Sequence, residues 1–528
     1  MIRTNAKRTG EHDINKRIVI VSDTHITPTG TDFNQEVFDK GIEKINKIKD
    51  VTAFVHLGDI THGGTLLEYN FAFEQSKKFN PVSKAPIFYL IGNHDALNVG
   101  YRLFEELFGK RHFEYEDEDI YMIGFDSTKP DLPGGVIHHI TIDAISKRLT
   151  KPERSNKIKI VCFHHQLIPI PNTGKERSAI DDSGNMLEML LNAKADLVLN
   201  GHRHISNLYK ISNSEKDLYI FNSGTFSSNK TRYRELFTYN IIDIRGKDIN
   251  FKVIPILEPK SKMEINRTLT YYSHRKVKPG EQPYCKFIQL CNTLISTDME
   301  NNTTNFDKAI DKINKIQDID LVIHAGNLTR NSFKEEFKLA REKIKSIDHP
   351  CLIVPGHTDS KPPAWTLWAK YIGSLNPLYE NEKILFQGID STTPDSKVGF
   401  IGRKKLNRFI DKVLSLSHQK IFGVSCFHTL IPTPLSVWRT ELMDSGDVLS
   451  QFARSQISLV VNSTPSISFN VKIDNSIFSN AGSLDGSHFD AAFIEIDLYK
   501  DGLVVLSENN LRTGKKKVIN KYHIEILS

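Results

Sequence analysis

The chain has 528 residues, of which 39% are hydrophobic and 25% are charged, and its formal net charge is +6. This length exceeds the roughly 250–300 residues at which a single hydrophobic core stops growing, so at least two domains are expected. The composition excludes a wholly disordered or collagen-like chain, and a charge of +6 spread over 69 basic and 63 acidic side chains is too dilute to indicate nucleic-acid binding.

The N-terminal segment, residues 1–16, is basic, but the apolar segment of a signal peptide does not follow it. The sequence contains no run of about 18 apolar residues, which argues against a membrane span. A cytoplasmic location without membrane contact is therefore expected. The cysteines form no Cys-x-x-Cys pair, and we expect them to be reduced residues of the core.

Short apolar runs alternate with longer amphipathic stretches along the first half of the chain. Residues 17–21 and 53–57 predict strands, and residues 36–49 between them have the period of an amphipathic helix. Further strands are predicted before residues 92, 126, 164 and 201, where each apolar run ends at polar residues. This alternation predicts an α/β fold, in which ligands gather at the carboxyl ends of the strands.

The order of these landmarks recurs in the second half, displaced by roughly 265 positions, which predicts an internal duplication. The matching segments are 17–26 with 286–295, 53–61 with 321–329, 87–95 with 352–360, and 122–131 with 386–395. Residues 258–283 are charged and contain Pro and Gly, as linkers do. The predicted organisation is a domain at 1–260, a linker at 261–284 and a second domain at 285–528.

Polar residues at the strand ends of the first half form five motifs with metal-ligand chemistry. The motifs are Asp23-x-His25, Gly58-Asp59, Gly92-Asn93-His94-Asp95, the pair His164-His165, and Gly201-His202-x-His204. Mixed oxygen and nitrogen ligands suit Mn, Fe or Zn better than Mg or Ca. A carboxylate between two such metals can bridge them at about 3.5–4 Å. We expect the three glycines to let the backbone turn sharply, so that the next side chain points at the metals.

In this order the motifs resemble those of the calcineurin-like metallophosphoesterase family, over essentially the whole first half. The resemblance implies four-layer αββα sandwiches in tandem, the second one degenerate. It also implies that a hydroxide held between two divalent metal ions attacks a phosphoester. By this resemblance one metal is held by Asp23, His25, Asp59 and His204, and the other by Asp59, Asn93, His164 and His202, with Asp59 as the bridge.

The resemblance also implies that His94 steadies the transition state or protonates the leaving oxygen, with Asp95 orienting its imidazole. Either His164 or His165 could be the ligand. The position directly after the strand, and the single His428 in the second half, favour His164.

The surroundings of Asp126-Ser127-Thr128 are similar to those in class III cyclic nucleotide phosphodiesterases. The predicted function is therefore hydrolysis of a small phosphodiester, preferably a nucleotide. A nuclease, a phosphomonoesterase, a lipid-linked pyrophosphatase and a non-enzymatic scaffold that binds a phosphate ligand are the alternatives. We expect His56 and His62 to be structural or solvent-facing, although His62 could touch a substrate.

The second half keeps its apolar strands and loses the ligands. Asn292 stands for Asp23, Leu294 for His25, Asn327 for Asp59, and residues 463–466 for the motif that contains His202 and His204. These replacements predict a pseudoenzyme domain without a metal site. Our hypothesis is that it pairs with the first half as an intrachain pseudo-dimer, and the alternative is two independent domains.

Overall fold

The structure, a computed structural model, describes residues 15–174, 180–232, 235–258, 263–298, 303–415, 420–435, 442–463, 467–486 and 490–525. The chain divides into two compact units. The first unit consists of residues 1–211 and 215–272, and the second of residues 212–214 and 273–528.

The first unit alternates strands and helices, as the sequence predicts. Its strands are β1 Asn15–Val21, β2 Ala53–His56, β3 Ile87–Tyr89, β4 Phe113–Glu116, β5 Ile120–Gly124, β6 Thr128–Lys129, β7 Leu132–Gly135, β8 Ile158–Cys162, β9 Leu197–Asn200, β10 Asn207–Ser212, β11 Asp217–Asn222, β12 Thr238–Arg245, β13 Asp248–Pro255 and β14 Met263–Thr268. Its α-helices are α1 Gln35–Asn46, α2 Leu66–Ser76, α3 Gly100–Leu107, α4 His139–Leu149 and α5 Ser183–Asn192.

Two sheets of the first unit share an apolar core. One has the strand order β14-β13-β12-β1-β2-β3, and the other runs β10-β11-β9-β8-β5-β4. Ile18 and Val55 from the first sheet lie in the same buried cluster as Met122 and Leu199 from the second. Helices α1, α2 and α3 pack on the opposite face of the first sheet. Helix α4 lies along β4 and β5, which gives the α/β/β/α layering.

The second unit has its own set of elements. Its strands are β15 Cys285–Leu290, β16 Leu321–His324, β17 Cys351–Ile353, β18 Leu378–Glu380, β19 Ile384–Gly388, β20 Ile421–Ser425, β21 Ile457–Asn462, β22 Phe469–Ile473, β23 Ser476–Asn480, β24 Ala492–Leu498, β25 Leu503–Asn510 and β26 Lys516–His523. Its α-helices are α6 Thr304–Ile313, α7 Lys334–Lys345, α8 Ala364–Tyr371, α9 Arg403–Ser415 and α10 Ser445–Arg454.

The sheets of the second unit have the orders β17-β16-β15-β24-β25-β26 and β18-β19-β20-β21-β23-β22. Position by position, these are the orders β3-β2-β1-β12-β13-β14 and β4-β5-β8-β9-β11-β10 of the first unit. A duplication would produce this agreement. The duplication itself stays a prediction.

The predicted linker is partly wrong. Residues 263–268 form β14, which pairs antiparallel with β13 along its whole length. The charged sequence of this strand hides it, because only alternate residues such as Met263 and Ile265 are half-buried while the others are exposed. The units divide after Tyr272 instead.

All five cysteines are free, as predicted. In the part of the chain that the structure describes, no helix is long and apolar enough to cross a membrane.

Candidate metal centre

The seven predicted metal ligands follow the carboxyl ends of five strands in the first unit. Asp23 and His25 follow β1, Asp59 follows β2, Asn93 follows β3, His164 follows β8, and His202 and His204 follow β9. The loops that carry them are joined by backbone hydrogen bonds, for example from Asp23 N to Gly58 O at 3.0 Å and from Gly201 N to His164 O at 2.9 Å.

Most of these ligands have a left-handed backbone. The φ angle is 54° at Asp23, 49° at His25, 54° at Asp59, 73° at His202 and 55° at His204. This conformation costs a residue with a side chain roughly 1–2 kcal/mol, and such strain is concentrated at functional sites. The strained backbone therefore occurs at the five residues whose side chains it turns towards the candidate site.

Asp23, His25 and His204 form the first group of ligands. The Nε2 atoms of His25 and His204 lie 3.1 Å apart, and Asp23 Oδ1 lies 3.3 Å from His204 Nε2. One ligand atom from each residue lies within 4.8 Å of those of the other two. His25 Nε2 is also 3.6 Å from Asp59 Oδ2, so Asp59 lies beside this group.

Asp59, Asn93, His164 and His202 form the second group. Asp59 Oδ2 is 3.3 Å from His164 Nε2. Asn93 Oδ1 is 3.1 Å from His164 Nε2 and 2.8 Å from His202 Nδ1. The structure therefore brings the seven side chains into the two sets that the resemblance implies, with Asp59 between them.

The donors of both groups suit a pair of divalent cations. The ring nitrogens of His25 and His204 face each other at 3.1 Å, where two unprotonated nitrogens would repel and a shared cation would attract both. The carboxylates of Asp23 and Asp59 are buried and supply the negative charge that such cations need. Imidazole, carboxylate and amide donors together fit Mn, Fe or Zn.

The electrostatics of the site favour an ionised Asp59, neutral rings at His25 and His202, and a charged ring at His164. Burial lowers the pKa of His25 and of His202 well below the usual value, and the neutral ring is the form that binds metals. Burial opposes ionisation of Asp59, but His164 and the neighbouring histidines hold the pKa of Asp59 well below its usual range. Burial also disfavours charge on His164, yet Asp59 prevails and raises the pKa of His164 to about 9. Asp59 thus attracts positive charge to the middle of the site.

Asp95 holds a loop and does not orient His94, so that prediction is wrong. The Asp95 carboxylate accepts hydrogen bonds from three backbone N–H groups and from the hydroxyl of Thr61, at 2.7–3.0 Å. These donors from the loop after β2 and from the start of its own loop occupy the carboxylate. The Nδ1 atom of His94 instead lies 2.5 Å from the carbonyl oxygen of His62.

Of the two adjacent histidines, His164 lies in the second ligand group, while His165 bonds to Ser127 Oγ through its Nδ1 at 2.8 Å. One argument for His164 nevertheless fails. His428 bonds to Ser391 Oγ at 2.8 Å through Nδ1 and at 3.3 Å through its backbone N, as His165 does with Ser127. His428 is therefore the counterpart of His165.

The glycines act in two different ways. Only Gly58 has the left-handed backbone that favours glycine, with φ of 99°. At Gly92 and Gly201 the reason is close approach, because a Cβ atom would overlap Asp59 N and Ser22 Oγ, respectively. The expectation of a sharp turn holds for the first glycine alone.

Backbone carbonyls orient two of the ligands, and the motifs did not reveal them. His164 Nδ1 lies 2.8 Å from Leu57 O, and His204 Nδ1 lies 2.7 Å from Lys230 O. Such contacts fix which nitrogen of each ring would face a metal ion. Since any residue supplies a carbonyl, these partners leave no signal in the sequence.

The second unit keeps the shape of the ligand loops without the ligands. The φ angle is 50° at Asn292, 46° at Leu294 and 55° at Asn327. Asn327 Nδ2 donates to Asn292 Oδ1 at 2.9 Å, and its Oδ1 accepts from Thr358 N at 3.1 Å, so the amides satisfy each other without a cation. Within the described ranges, the groups that could hold a metal all lie in the first unit. Residues 464–466 lie outside the described residues.

Comparison with known proteins finds a family match in the first unit. The family model "Metallophos: Calcineurin-like phosphoesterase" matches residues 16–206. A protein of Arcobacter nitrofigilis described as "Probable glycerophosphodiester phosphodiesterase GpdQ" is 30% identical over 141 residues, covering 24% of this chain and 50% of that protein. The chain thus spans about half the length of the curated relative that it matches.

Solved structures also match about half of the chain. GAP50, described as the anchor in the inner membrane complex of Plasmodium, is 15% identical with a TM-score of 0.36, over 49% of this chain and 90% of that one. A dimetal phosphatase from Danio rerio is 10% identical with a TM-score of 0.35, over 48% of this chain and 98% of that one. The family match covers all five ligand loops. Residues 16–206 of this chain are therefore similar to calcineurin-like phosphoesterases.

Proposed function

We propose that the first unit is a metal-dependent phosphoesterase that hydrolyses phosphodiesters. The observation that carries this proposal is the convergence of seven ligands in two groups that share Asp59. The first cation would be held by Asp23, His25, Asp59 and His204, and the second by Asp59, Asn93, His164 and His202. Two divalent cations held in this way would activate water and neutralise a phosphoryl group.

His94 lies where it can act on the substrate. Its ring centroid is 4.6 Å from that of His25, and its Nδ1 is held by the carbonyl of His62. The other ring nitrogen is left for a phosphoryl oxygen or for the leaving oxygen. Proton transfer by such a group contributes about 10²–10⁴-fold to a rate.

The substrate class rests on weaker support. The resemblance to class III cyclic nucleotide phosphodiesterases favours a nucleotide, whereas the name of the curated relative concerns glycerophosphodiesters. Both are phosphodiesters, and this shared chemistry is what we propose. A phosphomonoester, single-stranded DNA or a lipid-linked pyrophosphate remains the alternative substrate.

Hydrolysis by chelator-treated protein resupplied with Mn²⁺ tests the proposal, with bis-p-nitrophenyl phosphate and p-nitrophenyl phosphate as substrates. Asp59→Asn keeps the shape of the bridge and removes its charge, and we expect kcat/KM to fall more than about 100-fold, since even outer-shell partners of metals contribute about 10–100-fold. His94→Gln should lower kcat by about 10²–10⁴-fold and leave bound Mn²⁺ unchanged.

The matched control is Asp143→Asn, the same chemical change at an exposed position of α4, which should retain full activity. Equal activity in all four proteins would disprove the proposal. A panel of cyclic nucleotides, glycerophosphodiesters and single-stranded DNA would then rank the substrates.

The role of the second unit stays a prediction. We propose that it is catalytically silent, since Asn292, Leu294 and Asn327 supply neither the charge nor the imidazole of a metal site. The intrachain pseudo-dimer is tested by small-angle scattering of the full chain. A profile of two separate bodies on a tether would contradict it.

A further inference from the structure

A third group of histidines borders the two ligand groups. One ring nitrogen from each of His25, His62 and His94 lies within 4.8 Å of those of the other two. The ring centroids are 5.6 Å apart for His25 and His62, 4.6 Å for His25 and His94, and 5.2 Å for His62 and His94. Neither His62 nor His94 belongs to the two ligand sets described above.

His62 and His94 are each anchored through one ring nitrogen. His62 Nε2 lies 3.3 Å from Asp32 Oδ2, and His94 Nδ1 lies 2.5 Å from the carbonyl oxygen of His62. A neutral imidazole that donates its proton to such an acceptor keeps a lone pair on its other nitrogen. His164 and His204 are anchored to carbonyls in the same way. This arrangement is typical of metal-ligating histidines.

The second ring nitrogen of His62, Nδ1, is the atom that could bind a cation. His62 Nδ1 is buried and lacks a hydrogen-bond partner among the residues that the structure describes. The same is true of His25 Nδ1. A buried polar atom without a partner is costly, and a bound cation would remove that cost for His62.

We propose that the side chains of His62 and His94 form a third cation site next to His25. This site takes Zn²⁺ or another ion that prefers imidazole. The group is rich in neutral nitrogen donors, and these select Zn²⁺ over Mg²⁺ or Ca²⁺. A cation on His94 occupies the nitrogen that hydrolysis needs. Zinc bound there therefore inhibits the enzyme, and only this last consequence rests on the proposed function.

Binding of Zn²⁺ to the chelator-treated full chain tests the site directly, by equilibrium dialysis. We expect the wild type to bind one more equivalent than His62→Gln. The substitution removes the imidazole but keeps the backbone carbonyl that anchors His94. His112→Gln, at an exposed histidine outside the cluster, is the matched control and should bind as many equivalents as the wild type.

Asp32→Asn separates a ligand role from a loop-packing role for His62. If the carboxylate orients a ligand, this variant should bind the additional Zn²⁺ about 10–100-fold more weakly while its folding is maintained. Circular dichroism and the unfolding midpoint of both variants check the fold. If His62 only ties its loop to Asp32, stability falls and the zinc count of the folded protein does not change, which overturns the proposal.

Inhibition is measured on the Mn²⁺-supported hydrolysis of bis-p-nitrophenyl phosphate, as the ratio of rates with and without added Zn²⁺ in each protein. The wild type and His112→Gln should be inhibited alike, and His62→Gln should need at least about 10-fold more Zn²⁺, in line with the loss of one ligand. Equal inhibition of all three would contradict an inhibitory site. Absence of any hydrolysis would refute the proposed function, while the zinc count would still decide whether the third site exists.

Discussion

At the scale of single residues, the site depends on how closely its loops approach one another. The backbone of Gly92 runs against Asp59, and a Cβ atom at this glycine would overlap both the backbone N and the carboxylate of Asp59. Neither of these atoms can move without displacing Asp59. The constraint is steric, since the backbone of Gly92 is not left-handed.

We expect Gly92→Ala to lower kcat/KM and the affinity for Mn²⁺ by at least about 10-fold, because Asp59 must shift away from one of the two ligand groups. Gly30→Ala is the control. Gly30 has φ of 87° and open space around it, so alanine there brings backbone strain of about 1 kcal/mol without a clash. Equal losses of metal affinity in both variants would show that strain, not the approach to Asp59, is responsible.

The side chains that gather at the candidate site could be predicted from the sequence, because each motif joins a strand end to a donor side chain. The roles of Asp95 and His428 could not. A carboxylate next to His94 suggests that it is the partner of His94, yet three donors from the loop after β2 and one from its own loop hold it. The sequence around His428 resembles that around His164. In the structure, however, the correspondence is shifted by one residue, and His428 makes the contacts of His165.

At the scale of elements, a side-chain hydrogen bond helps to join the end of β5 to the end of β8. Ser127 Oγ lies 2.8 Å from His165 Nδ1 and accepts from His165 N at 3.3 Å. Both residues are fully buried. Burial lowers the pKa of His165 to about 3, so the ring is neutral and depends on this hydroxyl.

Ser127→Ala should lower the free energy of unfolding of the first unit by about 1–3 kcal/mol, the cost of leaving a buried polar atom without its partner. Bound Mn²⁺ should not change, since His165 is outside both ligand groups. Chemical denaturation measures the first effect and dialysis the second. Ser391→Ala removes the same contact to His428 in the second unit and should cost a similar amount there. Loss of Mn²⁺ in Ser127→Ala would assign His165 to the metal centre instead.

Elements with a strong apolar pattern were predictable. The helix predicted at 36–49 is α1, and the predicted strands are β1, β2 and their successors. Edge strands such as β14 were not, because they are held by backbone hydrogen bonds to β13 and bury little apolar surface. The hydrophobic pattern of a sequence does not reveal a strand that is held mainly by backbone hydrogen bonds.

At the scale of the whole molecule, the length predicted two domains, and the chain has two compact units. We expect the first unit to bind metal ions and the second unit not to bind them. Asp59→Asn should abolish binding of Mn²⁺ to the bridged pair in the full chain, whereas Asn327→Ala should leave the Mn²⁺ count unchanged, because the amide cannot replace a bridging carboxylate. Metal analysis after dialysis measures both. A loss of Mn²⁺ in Asn327→Ala would show that the second unit holds metal.

The left-handed loops of the second unit bear on how its chemistry could be changed. Asn292, Leu294 and Asn327 adopt this costly backbone conformation, although among the described residues the groups that could hold a metal all lie in the first unit. A metal site could therefore be built there by exchanging side chains, because the backbone already has the left-handed conformation of the ligand loops in the first unit. For protein engineering, the second unit is therefore a suitable scaffold for a new metal site. The substitutions Asn292→Asp, Leu294→His and Asn327→Asp can be introduced into it one at a time.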